Sequence, residues 1–286
     1  IPDADPAKLF TLGDLVDYFG EAALTEEDAP APRVTRDPRR ALTSPDGWPA
    51  PPIAVPARLN WPVLRLIRLG GLIWARRRLD FAVNGVERVD WSARPMIIAQ
   101  NHHSVLDGVL LALGLPPRVH RELFSVGYAG YFSRGRGRWA AKLGRIQPID
   151  ADSWALTGLR SSAAALRAGR VMAIYPEGER SNDGSLKPFR RSVAWLAAYS
   201  GAAVVPSALV GAYQAWPRGY GFAPHPVRMI FGPALPPPAR LGDPREEQAW
   251  LDELRARIAE LMRELGADPE RGDPETWRSG PPGLRS

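Results

Sequence analysis

The sequence has no cysteine, which excludes a disulfide-stabilised scaffold, thiolate-bound zinc or iron–sulfur sites, and a cysteine nucleophile. Lysine is also scarce, since only three of the 37 basic residues are lysines. No apolar run reaches the length of about 20 residues that a helix needs to cross a bilayer. No repeat of fixed period is visible, so a solenoid or propeller is not expected.

The 286 residues are 45% hydrophobic and 24% charged, which is enough apolar material for one ordinary domain with tails. The net charge of +6 favours an anionic partner such as a phosphate-bearing substrate or a membrane surface. The arginines are scattered and accompany no nucleic-acid-binding motif, so nucleic acid is not an expected partner.

Proline content and strand–helix patterning predict the domain organisation. We expect a short helical segment at 1–22, a linker with eight prolines at 23–58, a compact domain at 59–266, and a flexible tail at 267–286. Within the compact domain, short apolar runs alternate with helical patterns, which predicts an α/β fold with helices covering a sheet. Ligands of such folds bind where the strands end.

The first polar cluster, NHHSVLD at residues 101–107, directly follows an apolar strand. His102 and Asp107 form a His-x4-Asp pair, a pattern in which an imidazole removes a proton and a carboxylate orients it. Five residues correspond to about 500° of helix, so the two side chains meet only if the chain turns between them. A purely structural histidine is the alternative. Adjacent His102 and His103 leave a strand on opposite faces, so no metal site is expected.

The second polar cluster, YPEGERSNDGSLKPFRRS at residues 175–192, also follows an apolar strand. Gly178 permits a tight turn, and Arg180 offers a planar fork that matches phosphate oxygens. Glu177 is well placed to orient Arg180 or a substrate hydroxyl. A solvated basic loop, whose charges only face water, is the alternative.

Together these two segments resemble the glycerolipid acyltransferase family, which includes the lysophosphatidate acyltransferases. That family carries an Asn-His-x-Ser-x-x-Asp block and a Phe-Pro-Glu-Gly-Thr-Arg-Ser block. The matching residues of this chain are Asn101, His102, Ser104, Asp107, Pro176, Glu177, Gly178, Arg180 and Ser181. Residues 144–150 and 204–206 resemble two further blocks of the family.

The resemblance implies a single α/β domain with a central mixed sheet covered by helices. It also implies transfer of a fatty acyl group from acyl-CoA or an acyl carrier protein to the hydroxyl of a glycerol-phosphate lipid such as lysophosphatidate. No metal and no cofactor besides the acyl donor are implied. His102 would be the general base and Asp107 its partner. The residues implied in substrate binding are Asn101, Ser104, Arg145, Glu177, Gly178, Arg180 and Ser181.

Several positions depart from the family pattern. Tyr175 and Glu179 stand where the family has phenylalanine and threonine, and Ala151 stands where an arginine is common. The extra negative charge of Glu179 leaves other functions open. These are acyl transfer to an acceptor without phosphate, exchange of acyl groups between lipids, and lipid binding without catalysis.

Residues 61–79, WPVLRLIRLGGLIWARRRL, place most apolar side chains in one helical sector and Arg65, Arg68 and Arg76 roughly opposite. We expect an interfacial helix whose arginines face anionic headgroups. This implies a cytoplasmic protein bound peripherally to the inner face of the membrane. A helix packed on the domain's own core is the alternative.

Residues 1–22 resemble the last segment of an acyl carrier protein, in the pattern around Thr11, Gly13 and Asp14. This resemblance adds an acyl carrier protein to the expected partners and predicts that the chain is the back end of a carrier–enzyme fusion. An unrelated amphipathic helix is the alternative.

Overall fold

The computed structural model describes residues 61–128, 146–149, 155–217, 221–239 and 243–271. The predicted helical segment at 1–22 and the linker at 23–58 lie outside the described residues. The same holds for Arg145, for Ala151 and for the predicted tail beyond residue 271.

Seven strands form one mixed sheet in the described part of the chain. They are β1 (Ala82–Asn84), β2 (Met96–Gln100), β3 (Leu123–Tyr128), β4 (Ile146–Ile149), β5 (Val171–Ile174), β6 (Ala203–Val210) and β7 (Arg228–Phe231). Their order across the sheet is β1-β7-β6-β2-β5-β3-β4. Neighbouring strands are parallel except for the antiparallel pair β6–β7. The predicted mixed sheet is therefore confirmed.

Helices cover both faces of the sheet. They are α1 (Trp61–Leu79), α2 (Asp107–Gly114), α3 (Pro117–Glu122), α4 (Ala155–Arg167), α5 (Ser192–Ser200), α6 (Ala212–Ala215) and α7 (Pro244–Glu264). The apolar pattern predicts a short strand at Val86–Val89, but Val86–Arg88 form a 3₁₀ turn instead. That prediction is wrong because Gly85 adopts the left-handed conformation, with φ of 70°, which ends the extended backbone of β1.

The central strands have a core on each side. All residues of β2 and β5 are buried, so both strands read as continuous apolar runs rather than alternating ones. Ile97 packs into the cluster that includes residues of α4, α5 and α7. Its neighbour Ile98 packs into the opposite cluster, which includes residues of α1 and α2. Successive side chains of β2 thus serve opposite helical layers.

The register of the sheet brings the two polar segments together. Ala99 pairs with Ile174, and Gln100 pairs with Ser207. Because β2, β5 and β6 run parallel, the residues that follow them leave the sheet at the same edge.

Two residues that the sequence assigns to the tail, Pro269 and Glu270, contact the rest of the described chain. The Leu186 N–H donates to the carbonyl of Pro269 at 2.9 Å. The guanidinium of Arg255 on α7 forms a 3.0 Å ion pair with Glu270. These contacts attach residues 267–271 to the domain.

Candidate active site

The turn after β2, residues 100–107, is called here the histidine turn, and it brings the predicted pair together. His102 Nδ1 lies 2.8 Å from Asp107 Oδ2. The same oxygen accepts hydrogen bonds from the N–H groups of His103 at 2.7 Å and Ser104 at 2.8 Å. Asp107 is the first residue of α2. The strand-to-helix turn that the spacing requires is therefore present.

The protonation of the imidazole follows from this contact. A carboxylate acceptor at Nδ1 places the ring proton on that nitrogen and leaves the Nε2 lone pair available to take a proton. The Asp107 side chain is buried, whereas the His102 side chain keeps 18% of its surface exposed. Three hydrogen bonds stabilise the carboxylate charge in this buried position. The carboxylate therefore orients an imidazole that is partly exposed, and the role of His102 as general base stays a prediction.

Tyr175 fixes the plane of the imidazole, which the sequence does not predict. Its ring stacks on His102 with the centroids 4.0 Å apart and an angle of 17° between the planes. Burial raises the pKa of the Tyr175 hydroxyl well above its ordinary value, and the negative charge of Asp107 adds to this. Tyr175 is therefore neutral and offers an aromatic face to His102. Its place in the family's second block is the only signal in the sequence for this role.

The segment after β5, residues 175–192, is called here the arginine loop, and Glu177 joins it to the histidine turn. Glu177 Oε1 accepts from the His102 N–H at 2.6 Å, and Oε2 accepts from the Lys187 N–H at 2.9 Å. The Ser181 N–H donates to the His102 carbonyl at 2.7 Å. Both backbone groups of His102 are thus held by the arginine loop.

The carboxyl of Glu177 is buried and its pKa is raised to about 8. Burial is the main cause, and the two N–H donors act in the opposite direction. Both oxygens bond backbone groups, so the observed role of Glu177 is to clamp the two segments. Its predicted contact with a substrate stays a prediction.

Two predicted residues of the histidine turn are fully buried. Asn101 Oδ1 accepts from the Leu209 N–H at 2.8 Å, and its amide donates to the Leu209 carbonyl at 2.9 Å. The Ser104 hydroxyl donates to the carbonyl of Trp216 at 2.7 Å. These bonds attach the histidine turn to β6 and to the segment after it. Contact of Asn101 or Ser104 with a substrate stays a prediction.

The contacts of Glu177 and Ser181 with the His102 backbone hold the arginine loop beside the histidine turn. Gly178 has φ of 84°, as the predicted tight turn requires. The Ser181 hydroxyl donates to Asp183 at 2.9 Å and accepts from the Gly184 N–H at 3.0 Å, which closes the loop on itself. Arg180 is half-buried in the same turn.

His103 is buried and keeps only 4% of its surface exposed. Its Nδ1 lies 3.2 Å from the side-chain amide of Asn101. Burial lowers the pKa of His103 to about 4, so its ring is neutral near pH 7. Among the described residues, no three histidine, aspartate or glutamate side chains are grouped so as to hold a metal ion.

One arginine of helix α1, Arg68, points in a different direction from the one that the sequence predicts. Arg68 Nη2 donates to the carbonyls of Leu113 at 2.9 Å and Leu115 at 2.5 Å. These carbonyls lie at the C-terminal end of α2, where a helix leaves acceptors unpaired. Arg68 therefore points toward the domain, and the prediction that it faces headgroups is wrong.

The opposite side of α1 presents apolar side chains to the outside. Ala75 and Leu79 of the same helix are fully buried against the domain. The exposed large apolar residues of this region, called here the apolar surface, are Leu66, Ile67, Leu69, Ile73 and Trp74 of α1 with Val105 and Val109 beside the site. Leu66 is 69% exposed and Val109 is 55% exposed. Within the ranges described, no helix has the length and apolar character to cross a membrane.

Comparisons with known proteins show what the chain resembles. Residues 80–210, which include both the histidine turn and the arginine loop, match the family model described as Acyltransferase. Over this segment the chain is similar to members of the acyltransferase family. The solved structure of the 1-acyl-sn-glycerophosphate acyltransferase PlsC of Thermotoga maritima has the same fold, with a TM-score of 0.57 at 21% identity. The superposition covers 88% of this chain and 90% of that one.

Curated proteins similar to this chain include two 1-acyl-sn-glycerol-3-phosphate acyltransferases. The chloroplastic BAT2 of Brassica napus is 30% identical over 186 residues, which are 63% of this chain and 50% of the relative. The Pseudomonas aeruginosa protein is 28% identical over 233 residues, which are 76% of this chain and 85% of the relative. The chain spans about half the length of the first curated relatives it matches.

Proposed function

We propose that this protein moves a fatty acyl group from an acyl thioester to the free hydroxyl of a glycerol-phosphate lipid such as lysophosphatidate. The observation that carries the proposal is the 2.8 Å contact between His102 and the buried Asp107 at the edge of the sheet. The names of the relatives supply the class of acceptor.

In the proposed reaction His102 Nε2 removes the proton of the acceptor hydroxyl while the oxygen of that hydroxyl attacks the thioester carbonyl. The new C–O bond forms, the C–S bond then breaks, and the leaving thiolate takes the proton back from the imidazolium. Asp107 stabilises the imidazolium between these two steps. Transfer is direct, because the Ser104 hydroxyl is buried and donates to Trp216, so it does not act as a nucleophile.

The arginine loop supplies the cations for the acceptor phosphate. Arg180 lies one residue from Ser181, whose N–H bonds His102. Guanidinium forks match phosphate oxygens in a bidentate manner and are stronger than neutral hydrogen bonds. We therefore assign Arg180 to the acceptor phosphate.

The acyl transfer assay tests the general base. Lysophosphatidate is incubated with acyl-CoA or an acylated carrier protein, and phosphatidate is measured by mass spectrometry. We expect His102→Ala to lower kcat by about 10²–10⁴-fold, the usual contribution of a general base. His120→Ala is the matched control, because His120 lies on α3 before β3, at the other edge of the sheet. Full activity of His102→Ala, or lipid binding by the wild-type protein without any acyl product, contradicts the proposal.

The donor is proposed to be an acyl carrier protein as well as acyl-CoA, on the resemblance of residues 1–22 to the end of such a protein. The two donors are compared at equal acyl-chain length by kcat/KM. Strict use of acyl-CoA contradicts this part of the proposal.

The apolar surface is proposed to rest on a lipid bilayer, which would place the protein peripherally on the inner, cytoplasmic face of the membrane. Its support is the set of exposed apolar side chains on α1 together with Val105, which is three residues from His102 in the sequence. Amphipathic helices bind membranes through such exposed apolar area.

Vesicle flotation tests the membrane contact, with vesicles of phosphatidylcholine containing phosphatidylglycerol. We expect the double variant Ile67→Asp with Leu69→Asp to lose binding. The matched control carries two aspartates at the exposed Ala249 and Ala256 of α7, on the opposite helical layer. Equal binding by both variants contradicts the assignment.

A further inference from the structure

The arginine loop contains a charge pair that the family pattern lacks. Lys187 Nζ lies 2.9 Å from Glu179 Oε1, and Glu179 stands where the family's second block has threonine. The ammonium also lies 3.4 Å from the carbonyl of Arg180. The side chains of Glu179 and Lys187 keep 33% and 23% of their surface exposed, so a ligand can reach both.

The pair is attached directly to the catalytic segment. One buried carboxylate, that of Glu177, bonds the N–H groups of both His102 and Lys187. Glu179 is separated from Glu177 by a single residue and precedes Arg180. The charges of Glu179 and Lys187 therefore lie in the part of the loop to which we assign the acceptor phosphate.

Glu179 changes the charge that an acceptor meets. A phosphate monoester carries about −1.5 to −2 charges near neutral pH and needs cations around it. In this chain Glu179 forms an ion pair with the ammonium of Lys187, so that ammonium is not available to a phosphate. Glu179 also adds a negative charge next to Arg180. A phosphodiester headgroup carries one negative charge, and when it ends in an ammonium group it also offers Glu179 a partner of opposite sign.

From this geometry we infer that Glu179, acting through Lys187, determines acceptor specificity. Among the proposed glycerol-phosphate acceptors, it lowers the preference for the phosphate monoester of lysophosphatidate relative to lysophospholipids whose phosphodiester headgroup ends in an ammonium group. The inference rests on the proposed acyl transfer and concerns the same site.

The test compares kcat/KM for lysophosphatidate and lysophosphatidylethanolamine, with one acyl donor and in neutral detergent micelles. We expect Glu179→Thr to raise kcat/KM for lysophosphatidate about fivefold through KM, which corresponds to a half-exposed charge interaction of about 1 kcal/mol. The same variant lowers kcat/KM for lysophosphatidylethanolamine. Adding Lys187→Met to Glu179→Thr removes the gain for lysophosphatidate, because the released ammonium is then missing.

Two controls keep the result specific. Glu87→Thr removes the same charge from an exposed position on the 3₁₀ turn, away from the site, and leaves the ratio of the two acceptors unchanged. Glu179→Gln repeats the charge removal if the threonine variant does not fold. A ratio unaffected by Glu179→Thr and Glu179→Gln, in a protein that acylates either acceptor, overturns the inference and leaves the proposed function standing. Absence of any acyl product from the wild-type protein instead rejects the proposed function.

Discussion

The histidine turn and the arginine loop leave the same edge of the sheet, but they are built differently. In the histidine turn Asn101, Ser104 and Asp107 are fully buried, and each bonds backbone groups. In the arginine loop Glu179 and Lys187 are half-exposed and bond mainly each other. Buried polar groups must be satisfied and so tolerate little change, whereas half-exposed ion pairs contribute little stability and can exchange partners.

Because of this difference, the residues proposed for proton transfer and those proposed for acceptor recognition lie in differently constrained segments. The position of His102 depends on Asp107 of α2 and on backbone bonds from Glu177 and Ser181, so it is part of the fold. The side chains of Glu179 and Lys187 bond mainly each other and hold no other segment of the described chain in place. We therefore expect acceptor preference to change through these two side chains without any change at His102.

The largest effect on kcat is expected when the histidine turn loses the negative charge of Asp107. Asp107→Asn keeps an oxygen for the N–H groups of His103 and Ser104 but cannot stabilise an imidazolium. We expect kcat to fall by at least about 10²-fold, with KM for either substrate little changed. Steady-state kinetics measures this, with circular dichroism to check folding. A variant with wild-type kcat would show that the carboxylate charge is not needed.

The clamp between the two regions predicts a pH-dependent stability. Glu177 has a folded pKa of about 8, above its ordinary value of 4.5, so the folded state holds this proton more tightly. The contribution of Glu177 is therefore present below about pH 4.5 and is lost as pH rises through 8. His103 acts in the opposite sense, because its folded pKa of about 4 lies below 6.5 and its contribution is lost on acidification between those values.

Of these two contributions, mainly that of Glu177 changes between pH 6.5 and 8, so that range is the one that reports on the clamp. We expect the free energy of unfolding in urea to fall from pH 6.5 to 8 in the wild-type protein and to stay level in Glu177→Gln. The variant also loses about 1–3 kcal/mol at pH 6.5, since its amide cannot accept from both N–H groups. Equal wild-type stability at the two pH values would mean that the donors of His102 and Lys187 outweigh burial.

A smaller effect, confined to binding, is expected in the arginine loop. Arg180→Ala should raise KM for lysophosphatidate about tenfold while KM for the acyl donor and kcat stay close to wild type, because one charge-assisted contact is worth about 1.5–3 kcal/mol at most. Arg180→Lys keeps the charge but lacks the planar guanidinium fork, so its KM for lysophosphatidate should lie between those of the wild-type protein and Arg180→Ala. An unchanged acceptor KM would remove Arg180 from the phosphate site.

Local sequence patterns predict the framework of this site. The continuous apolar runs of β2 and β5 predict buried strands, and the five-residue spacing of His102 and Asp107 predicts the turn between strand and helix. Both predictions hold because they depend on residues that are neighbours in the sequence.

The parts that the sequence misses depend on contacts between distant segments. Glu177 bonds the N–H of His102, 75 residues earlier, only because β2 and β5 pair in one particular register. Periodicity divides α1 into an apolar and an arginine-bearing sector but does not say which sector meets the domain. The carbonyls of Leu113 and Leu115 decide this by bonding Arg68.

The smallest effect on kcat is expected for Tyr175, where substitutions separate the role of the aromatic ring from that of the hydroxyl. The Tyr175 hydroxyl is buried and has no hydrogen-bond partner in the described ranges, while the ring stacks on His102. Tyr175→Phe, the residue of the family pattern, should keep kcat and its pH profile within about twofold. It should also raise the free energy of unfolding by up to about 1 kcal/mol, because an unsatisfied buried donor is removed.

Tyr175→Leu serves as the matched comparison, because it removes the aromatic face together with the hydroxyl. Without stacking the imidazole loses one of the contacts that fix its plane, so kcat should fall while KM is retained. A large loss of kcat already in Tyr175→Phe, or a shifted pH profile, would instead make the hydroxyl part of the proton-transfer site. The order of the two variants therefore decides whether Tyr175 acts on His102 through packing or through its proton.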